Sequence, residues 1–541
     1  MSESLKILFV SGEYPPETGG GGIGSYLASM APALVTRGHQ VHVLSSVWAQ
    51  KHRDTTDQGV YIHRRGQVRI RGLGRLGRII RAPQTVARIA MGISAFFEYR
   101  RLGIDFDVIE YPDSGAEGWV FGLLHTRPLV AHLHTPFPLI RRYHQLPMDR
   151  DSRWASSLER LALRHADQVT APSSLLIKML QDLGWSEVAS AEVVPYPVDW
   201  PSWAQVAPVS ETKPAVLFLG RVEALKAPEI LVQAVQILRN DIPELRALFV
   251  GRSNGERNGL TYLEWVKGLA GQDGCDFIGH VPRHELSQIF AQSRVLAVPS
   301  WFDNYPMAVL EAMAAGRPVV VSSATGIADL VARSGAGRVV PPGDPMALAE
   351  ALLPFLRDAN HAAETGARAR AAVRTWLDPE QIAVERERIY LQTIEAFKRR
   401  LHVKASGFPY AIPRQIGSFE IPERWREWAA AEAALAPGKH FYLKTAHHLL
   451  DLLRTHPVVA GRETLAGVSV LDVGCTPAVD MLLACLGANV VLLDINPEEL
   501  RKSMAHARQL GVSNRVRGVQ ADAFRMPFGR RTFDVVWNSG F

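Results

Sequence analysis

Residues 294 to 323 read RVLAVPSWFDNYPMAVLEAMAAGRPVVVSS. Two β-branched runs, RVLAVPS and PVVVSS, flank an apolar run that opens after Asn304 and Pro306. Proline suits the first helical turn, where its missing N–H would have had no partner, so the stretch reads as strand, helix, strand with the helix starting near Pro306. Asp303 then lies on the loop, and Glu311 about a turn and a half inside the helix. The unpaired amides of the first turn, which attract anions, fall between the two acids. A plainer reading has Asp303 or Asn304 capping the helix and Glu311 in solvent.

The same alternation runs along the chain. KILFVS (6–11), VHVLSS (41–46), DVIEY (107–111), LVAHLH (129–134) and QVTAP (168–172) are predicted strands with helices between them, the first spanning about 24–37 and closed by Gly38. A proline-rich crossing at 193–214 interrupts the pattern and reads as a hinge. AVLFLG (215–220), ALFVG (247–251), CDFIG (275–279), RVLAVPS and PVVVSS then form a second series. From about 442 a predicted helix, then VSVLDVG, ANVVLLD, VRGVQAD and FDVVWNS, begin a third that ends with the chain at Phe541 and reads as an incomplete sheet. Parallel sheets covered on both faces are predicted, with ligands at the carboxyl ends of the strands. The predicted divisions are 1–195, a hinge at 196–214, 215–378, a long closing helix at 379–401, a linker at 402–440, and 441–541.

Composition agrees with a multidomain enzyme-sized protein. At 541 residues the chain exceeds one core and predicts roughly three or four domains. With 47% hydrophobic and 21% charged residues it is neither disordered nor fibrous. Three scattered cysteines make no disulfide framework and point to a reducing, cytoplasmic setting. The N-terminal apolar run ILFV is too short for a signal peptide or a spanning helix, so any membrane contact is expected to be peripheral.

Charge is uneven. The net is +6, and residues 64–101 carry ten arginines against Glu98. This segment reads as a loop leading into an amphipathic helix, suited to anionic lipid at an inner membrane face or to an acidic acceptor, or else as a solvated basic face. Nucleic acid is not expected, because no nucleic-acid module accompanies the arginines.

Three motifs carry chemistry. After the first strand, Gly19 to Gly24, interrupted by Ile23, allow close backbone approach and lead into a helix; Gly20, Gly21 and Gly22 are the candidates for phosphate or sugar contact. The loop is no P-loop, since no Lys-Ser/Thr pair follows. Past the hinge, FLGRVEALKAPEIL puts Arg221 and Lys226 just after a strand, a planar and a compact cation suited to a diphosphate. An exposed pair of this kind adds only about 0–1 kcal/mol of stability, whereas one preorganised donor at a reacting oxyanion is worth about 3–4 kcal/mol, so function explains the pair better. Acid-x-acid strings at Asp105/Asp107 and Asp149/Asp151 are no more frequent than chance among 54 acids, and no metal site is predicted.

Taken in order, the Gly-rich loop, the HT pair after LVAHL, GRVEALK, FIGHVP, VPSWFDNYP and LEAMAAGRPVV make residues 1 to about 400 resemble the retaining nucleotide-sugar glycosyltransferases of the GT-B fold, the group of glycogen synthase, sucrose synthase and bacterial mannosyltransferases. The resemblance implies two Rossmann-like parallel-sheet domains facing a cleft, the first on the acceptor side and the second on the donor side. It implies that Asp303 contacts hydroxyls of the donor sugar, Glu311 the nucleotide ribose, and the backbone around Asn304, Tyr305, Pro306 and Met307 the sugar and phosphate. The family has glutamate at the first acid; aspartate here is one methylene shorter. His134 matches the family histidine beside the donor sugar, and His132 is expected on the opposite face of its strand. EYPDSGAEGW resembles an acceptor-side segment, making Glu110, Asp113 and Glu117 candidates. Transfer with retention and no obligatory metal is implied, the leaving diphosphate helping to deprotonate the acceptor while Arg221, Lys226 and the helix start absorb its charge.

The third series resembles the start of an S-adenosylmethionine-dependent methyltransferase, a partial Rossmann-like domain. Asp472 and Gly474 in VLDVGC, Asp494 in LLDINPEEL and Asp522 in QADAFRMPF are its candidates. The loop GCTPA keeps only Gly474 of the three expected glycines. The predicted activity is sugar transfer from a UDP-, GDP- or other nucleotide sugar to a glycan or lipid-linked acceptor in polysaccharide biosynthesis, with S-adenosylmethionine as a second cofactor for glycan methylation. The alternatives are an epimerase or phosphorylase on the same architecture, and a C-terminal unit that only docks.

Overall fold

The protein is described here by a computed structural model over residues 4–16, 21–47, 51–67, 77–271, 274–406, 415–416, 419–435, 462, 464–475, 477–521, 527–528 and 532–538. It divides into two compact units, Met1–Glu395 and Ala396–Phe541.

The first unit holds two parallel sheets. Sheet one is built from β1 (Lys6–Val10), β2 (Gln40–Val47), β3 (Arg53–Asp57), β4 (Val60–Gly66), β5 (Val108–Pro112), β6 (Leu129–His132), β7 (Gln168–Ala171) and β8 (Glu192–Val193), in the order β3-β4-β2-β1-β5-β6-β7-β8. Each pair is parallel except β3 with β4. β1 is the switch point: Leu8 pairs with His42 on one side and Ile109 on the other. Its run ILFV is fully buried, as a central parallel strand requires.

Sheet two takes β9 (Ala215–Leu219), β10 (Arg246–Val250), β13 (Cys275–Gly279), β14 (Val295–Val298), β15 (Val319–Ser322) and β16 (Gly337–Val340) in the order β13-β10-β9-β14-β15-β16. A short hairpin, β11 (Glu256–Arg257) and β12 (Leu260–Thr261), projects between β10 and β13. Here β9 is the switch point, with β10 and β14 on its two sides, so the loops after these strands border one crevice. The helix Pro379–Ser406 returns to sheet one. Its Arg386 is fully buried and pairs with Glu110 of β5 at 3.4 Å.

In the second unit β17 (Gln415–Ile416) and β18 (Phe419–Glu420) form a small hairpin. β19 (Ser469–Val473), β20 (Asn489–Asp494), β21 (Val516–Gln520) and β22 (Val535–Asn538) make a parallel sheet in the order β21-β20-β19-β22. Trp425 and Trp428, from the helix Glu423–Leu435, are buried in its core.

Every strand predicted from the sequence is present, but several were not anticipated. VYIHRRG forms β4, with β3 against it, where a basic loop was expected. The arginines are accounted for locally: the Arg64 guanidinium is buried and donates to the carbonyls of Tyr14 (3.1 Å) and Pro15 (3.2 Å). Arg65 pairs with Asp54 and Glu98. Arg88 lies 3.5 Å from Glu159 and over the Phe137 ring, and Arg101 pairs with Glu98. The helix Pro83–Leu102 is packed rather than free, since a Cβ on Gly92 would fall 2.1 Å from the Trp119 indole nitrogen. The expected cationic surface over 64–101 is therefore corrected to a smaller one. Arg78, Arg81 and Arg100 are exposed, as are Ile79 and Phe97, while Arg69, Arg71 and Arg75 lie outside the described residues. Among the described residues no helix is long and apolar enough to cross a membrane.

Candidate functional site

The loop after β9 carries both predicted cations. Gly251 lets the β9 and β10 loops close on each other, because a Cβ there would fall 1.8 Å from the Gly220 carbonyl oxygen. Val222 then donates to the Arg252 carbonyl at 2.9 Å, and the chain tightens into a 3-10 turn at Ala224–Lys226. The turn delivers Lys226 to Asp303, on the loop after β14, and the two form an ion pair. Arg221 is more than half exposed and pairs with Glu223 at 2.9 Å.

The Asp303 loop is fixed from both sides. Asp303 donates its N–H to the Ala324 carbonyl at 3.1 Å and accepts from the Gly326 N–H at 2.9 Å. Gly326 must be glycine, since a Cβ would lie 1.8 Å from the Asn304 carbonyl oxygen and 2.5 Å from Ser173 Oγ. Asn304 does not cap the helix. Its side chain reaches sheet one, donating to the His134 carbonyl and accepting from Ser173 Oγ at 3.3 Å. The helix Met307–Ala314 has Pro306 at its N-cap position and no side-chain cap, which leaves its first amides for other partners. Tyr305 is buried against Tyr196, ring centroids 5.5 Å apart.

Glu311 is buried, not solvated. Burial raises its pKa, and Arg283 stands 3.1 Å away, opposing that shift. Arg283, four residues past Gly279 on the loop after β13, was missed in the sequence; its signal was a cation soon after a strand end, in the loop opened by FIGHVP.

From sheet one comes His134. Its N–H donates to Asp113 Oδ1 at 2.6 Å, and its Nδ1 meets the Tyr196 hydroxyl. Burial, followed by the Arg386 charge, lowers the imidazole pKa to about 3. Burial raises that of Tyr196, so its hydroxyl stays protonated. The His134 ring is therefore neutral at ordinary pH. The expectation that His132 faces the opposite way is corrected: side chains two apart fall on the same side of a strand, and the two rings pack edge to face at 5.0 Å. His132 is held inside the fold by Thr170 Oγ1 at 2.7 Å and by stacking on Tyr26.

The three acceptor-side acids separate. Glu110 accepts from the Tyr26 (2.8 Å) and Tyr390 (2.6 Å) hydroxyls and pairs with Arg386, so both its carboxylate oxygens are engaged inside the fold. Asp113 and Glu117 are buried, and burial raises each carboxyl to about 7. Asp113 Oδ2 has no hydrogen-bond partner, while Glu117 accepts the Gly12 N–H at 3.0 Å. Behind them Glu159, raised to about 8 by burial, accepts from Phe137 N–H at 2.9 Å.

At the glycine loop Gly21 and Gly22 are exposed at the start of the helix Gly22–Thr36, and Gly20 lies outside the described residues. Glu13, not singled out in the sequence, accepts from the Gly24 N–H at 3.3 Å, so a carboxylate of the chain itself already serves this helix start.

In the second unit Asp472 is buried near the end of β19 and Asp494 ends β20, their strands adjacent in the sheet. Gly474 has φ 100° with open space where a Cβ would stand, which fits a close ligand approach. Cys475 follows with its thiol pKa raised by burial and hydrogen-bonded to Asp494. Asp522 lies outside the described residues. No cluster of three or more metal-ligating side chains occurs among the described residues.

Three family matches cover most of the chain: Glycosyltransferase Family 4 over residues 20–200, Glycosyl transferases group 1 over 201–372, and a methyltransferase domain over 470–541. The D-inositol 3-phosphate glycosyltransferase of Xylanimonas cellulosilytica is 27% identical over 66% of this chain and 89% of its own. Among solved structures, sucrose-phosphate synthase from Thermosynechococcus elongatus aligns with a TM-score of 0.58 at 21% identity, covering 72% of this chain and 100% of that one. Anabaena Alr3699/HepE in complex with UDP-glucose aligns with a TM-score of 0.54 at 20% identity over the same shares.

Proposed function

We propose, for a chain that belongs to the group 1 glycosyltransferases of the GT-B fold and carries a methyltransferase domain behind them, that its first unit moves a sugar from a nucleotide-sugar donor to a glycan or lipid-linked acceptor with retention of anomeric configuration. The observation that carries this reading is the Lys226–Asp303 ion pair at the strand ends of sheet two, tied to His134 of sheet one by the Asn304 side chain, with Arg221 on the same loop as Lys226.

In this reading Lys226 and Arg221 take the diphosphate and stabilise its charge as the glycosidic bond breaks. Asp303 binds sugar hydroxyls and Glu311 the ribose. The backbone around Asn304, Tyr305, Pro306 and Met307 faces the sugar and phosphate, joined by Gly20, Gly21 and Gly22. His134, a neutral imidazole, fits a sugar hydroxyl and is unsuited to acid or base work at neutral pH. Asp113 and Glu117 border the acceptor, and no metal step is needed. The UDP-glucose bound in the Anabaena neighbour supports a nucleotide-sugar donor.

The second unit is proposed to bind S-adenosylmethionine through Asp472, Gly474, Asp494 and Asp522 and to methylate the glycan. Its open Gly474 turn supports this, whereas Thr476 and Ala478 stand where further glycines are expected. The enzyme is proposed to work in the cytoplasm, touching the inner membrane face through exposed Arg78, Ile79, Arg81, Phe97 and Arg100. The divisions at 1–195, 215–378 and 441–541 are proposed as its working domains.

A thermal-shift screen of nucleotide sugars tests the donor, since a bound donor raises apparent stability by mass action. A hit that is lost in Lys226→Ala and then turned over only with an acceptor supports transfer. Epimerisation without an acceptor, or a requirement for inorganic phosphate, refutes it.

A further inference from the structure

A fully buried carboxylate sits inside the cationic loop, where a diphosphate site has no use for negative charge. It is Glu223, two residues past Arg221 and three before Lys226. Its Oε2 accepts from the Asn254 side-chain amide, and His144, which caps the helix Phe137–Tyr143 of the first sheet's side, stands 3.9 Å from the same oxygen. Its Oε1 lies 2.9 Å from Arg221 Nη2, yet no donor is aligned on it for a hydrogen bond. A buried carboxylate oxygen left without an aligned donor is costly, so the network is complete only when Arg221 turns squarely onto it.

The two cations of the loop differ in what holds them. Lys226 is four-fifths buried by its surroundings, whereas the Arg221 side chain is 58% exposed and has Glu223 as its anionic neighbour. A guanidinium carries five N–H donors in a fork and can give one edge to a carboxylate while the other faces a phosphate. The turn bearing Glu223 is also seated on sheet one. Leu225 and Phe302 are buried in the apolar cluster of that sheet, and the Phe302 ring stacks on Tyr143 with centroids 5.2 Å apart.

Resting on the donor reading above, we propose that Glu223 is a positioning residue for sugar transfer. It aims Arg221 at the leaving diphosphate and, through His144 and the Tyr143–Phe302 stack, ties that aim to the seating of the two sheets on each other. Charge alone predicts the opposite of what positioning predicts: deleting a carboxylate beside an anion site tightens anion binding, whereas losing the aim of Arg221 weakens it.

The test is calorimetric titration of the full chain with UDP, GDP, ADP and TDP, using wild type, Glu223→Gln, Arg221→Ala and the double variant, with melting temperatures recorded alongside. Positioning predicts that Glu223→Gln weakens the bound nucleotide about tenfold, and that the double variant binds no more weakly than Arg221→Ala. Asn254→Ala, which keeps the carboxylate but removes its anchor, weakens binding in the same direction and carries the test where Glu223→Gln lowers the melting temperature. Tighter binding by Glu223→Gln, or losses that add in the double variant, overturn the inference and leave the donor reading standing. Binding of none of the four nucleotides by wild type overturns the donor reading and the inference with it.

Discussion

Replacing Asp303 by asparagine should split binding of the spent nucleotide from turnover of the intact donor. Asp303 pairs with Lys226, and both side chains are mostly buried, at 12% and 18% exposure. In the resting protein the ammonium is thus shared between its own carboxylate and any phosphate that arrives. At an effective dielectric near 20, a carboxylate about 7 Å from a phosphate charge costs ~2 kcal/mol, and screening in a cleft open to water reduces this to ~1 kcal/mol, roughly fivefold in affinity. Asparagine removes that repulsion and keeps the shape. The nucleoside diphosphate should therefore bind about fivefold tighter, with the gain shrinking as salt is raised.

Turnover should move the other way. A hydrogen bond from a sugar hydroxyl to a charged group is worth ~1.5–3 kcal/mol, so its loss costs roughly 10- to 100-fold in kcat/KM for the intact donor. Calorimetry on the nucleotide and initial rates on the donor read the two effects separately. Weaker nucleotide binding together with unchanged turnover would refute the roles given to Asp303 and Lys226.

Other outcomes follow from particular contacts. Gly326→Ala should lower the melting temperature and abolish turnover together, because its Cβ cannot stand 1.8 Å from the Asn304 carbonyl and the loop must move; the cost is on the order of 2–3 kcal/mol. Arg386→Met should cost ~3–5 kcal/mol in denaturant unfolding, since it strands the Glu110 carboxylate in a fully buried site. The carboxyl of Asp113 has its pKa raised to about 7, against an ordinary unfolded value near 4. Between those values the folded chain keeps a proton that the unfolded chain releases, so its contribution is full below about pH 4 and fades as pH rises through about 7. Calorimetric melting across that window should show a shallower decline in Asp113→Asn than in wild type. In the second unit, Asp494→Asn should abolish the heat of S-adenosylmethionine binding; a silent titration with wild type would instead favour a docking role.

What the sequence disclosed and what it hid divide along physical lines. Buried parallel strands such as AVLFLG and PVVVSS announce themselves as unbroken apolar runs, because both faces are covered. VYIHRRG did not, since Arg64 and Arg65 read as solvated charge until Tyr14, Pro15, Asp54 and Glu98 are brought to them by contacts distant in the chain. The same limit applies at the site. Arg221, Lys226, Asp303 and Glu311 could be picked out from spacing and resemblance, and Arg283 left a signal as a cation soon after a strand end, but Glu13 and Glu223 could not, because each is defined by its partner and not by its neighbours in sequence. Residues two apart point the same way along a strand, which is why His132 and His134 share one packed cluster and the expected opposition of the two was misplaced.

The internally partnered carboxylates at the cleft, three in ion pairs and one on a backbone amide, belong to one design. Lys226 with Asp303, Arg221 with Glu223, Arg283 with Glu311 and Gly24 N–H with Glu13 each set an internal carboxylate against a group that the donor reading assigns to an incoming ligand or its neighbourhood. Cations gathered in a half-buried cleft without partners would repel one another and destabilise the fold, and carboxylates such as Glu311 buried alone would take up protons. Pairing them internally holds the geometry ready at little cost, since a partly screened pair is worth only about 0–1 kcal/mol. A diphosphate brings more than one negative charge and several acceptor oxygens, so it can take over from a single carboxylate at each cation. Binding at such a cleft is an exchange of partners, not the filling of an empty charged hole. Its affinity should fall with added salt and with added simple phosphate, both of which compete for the same groups.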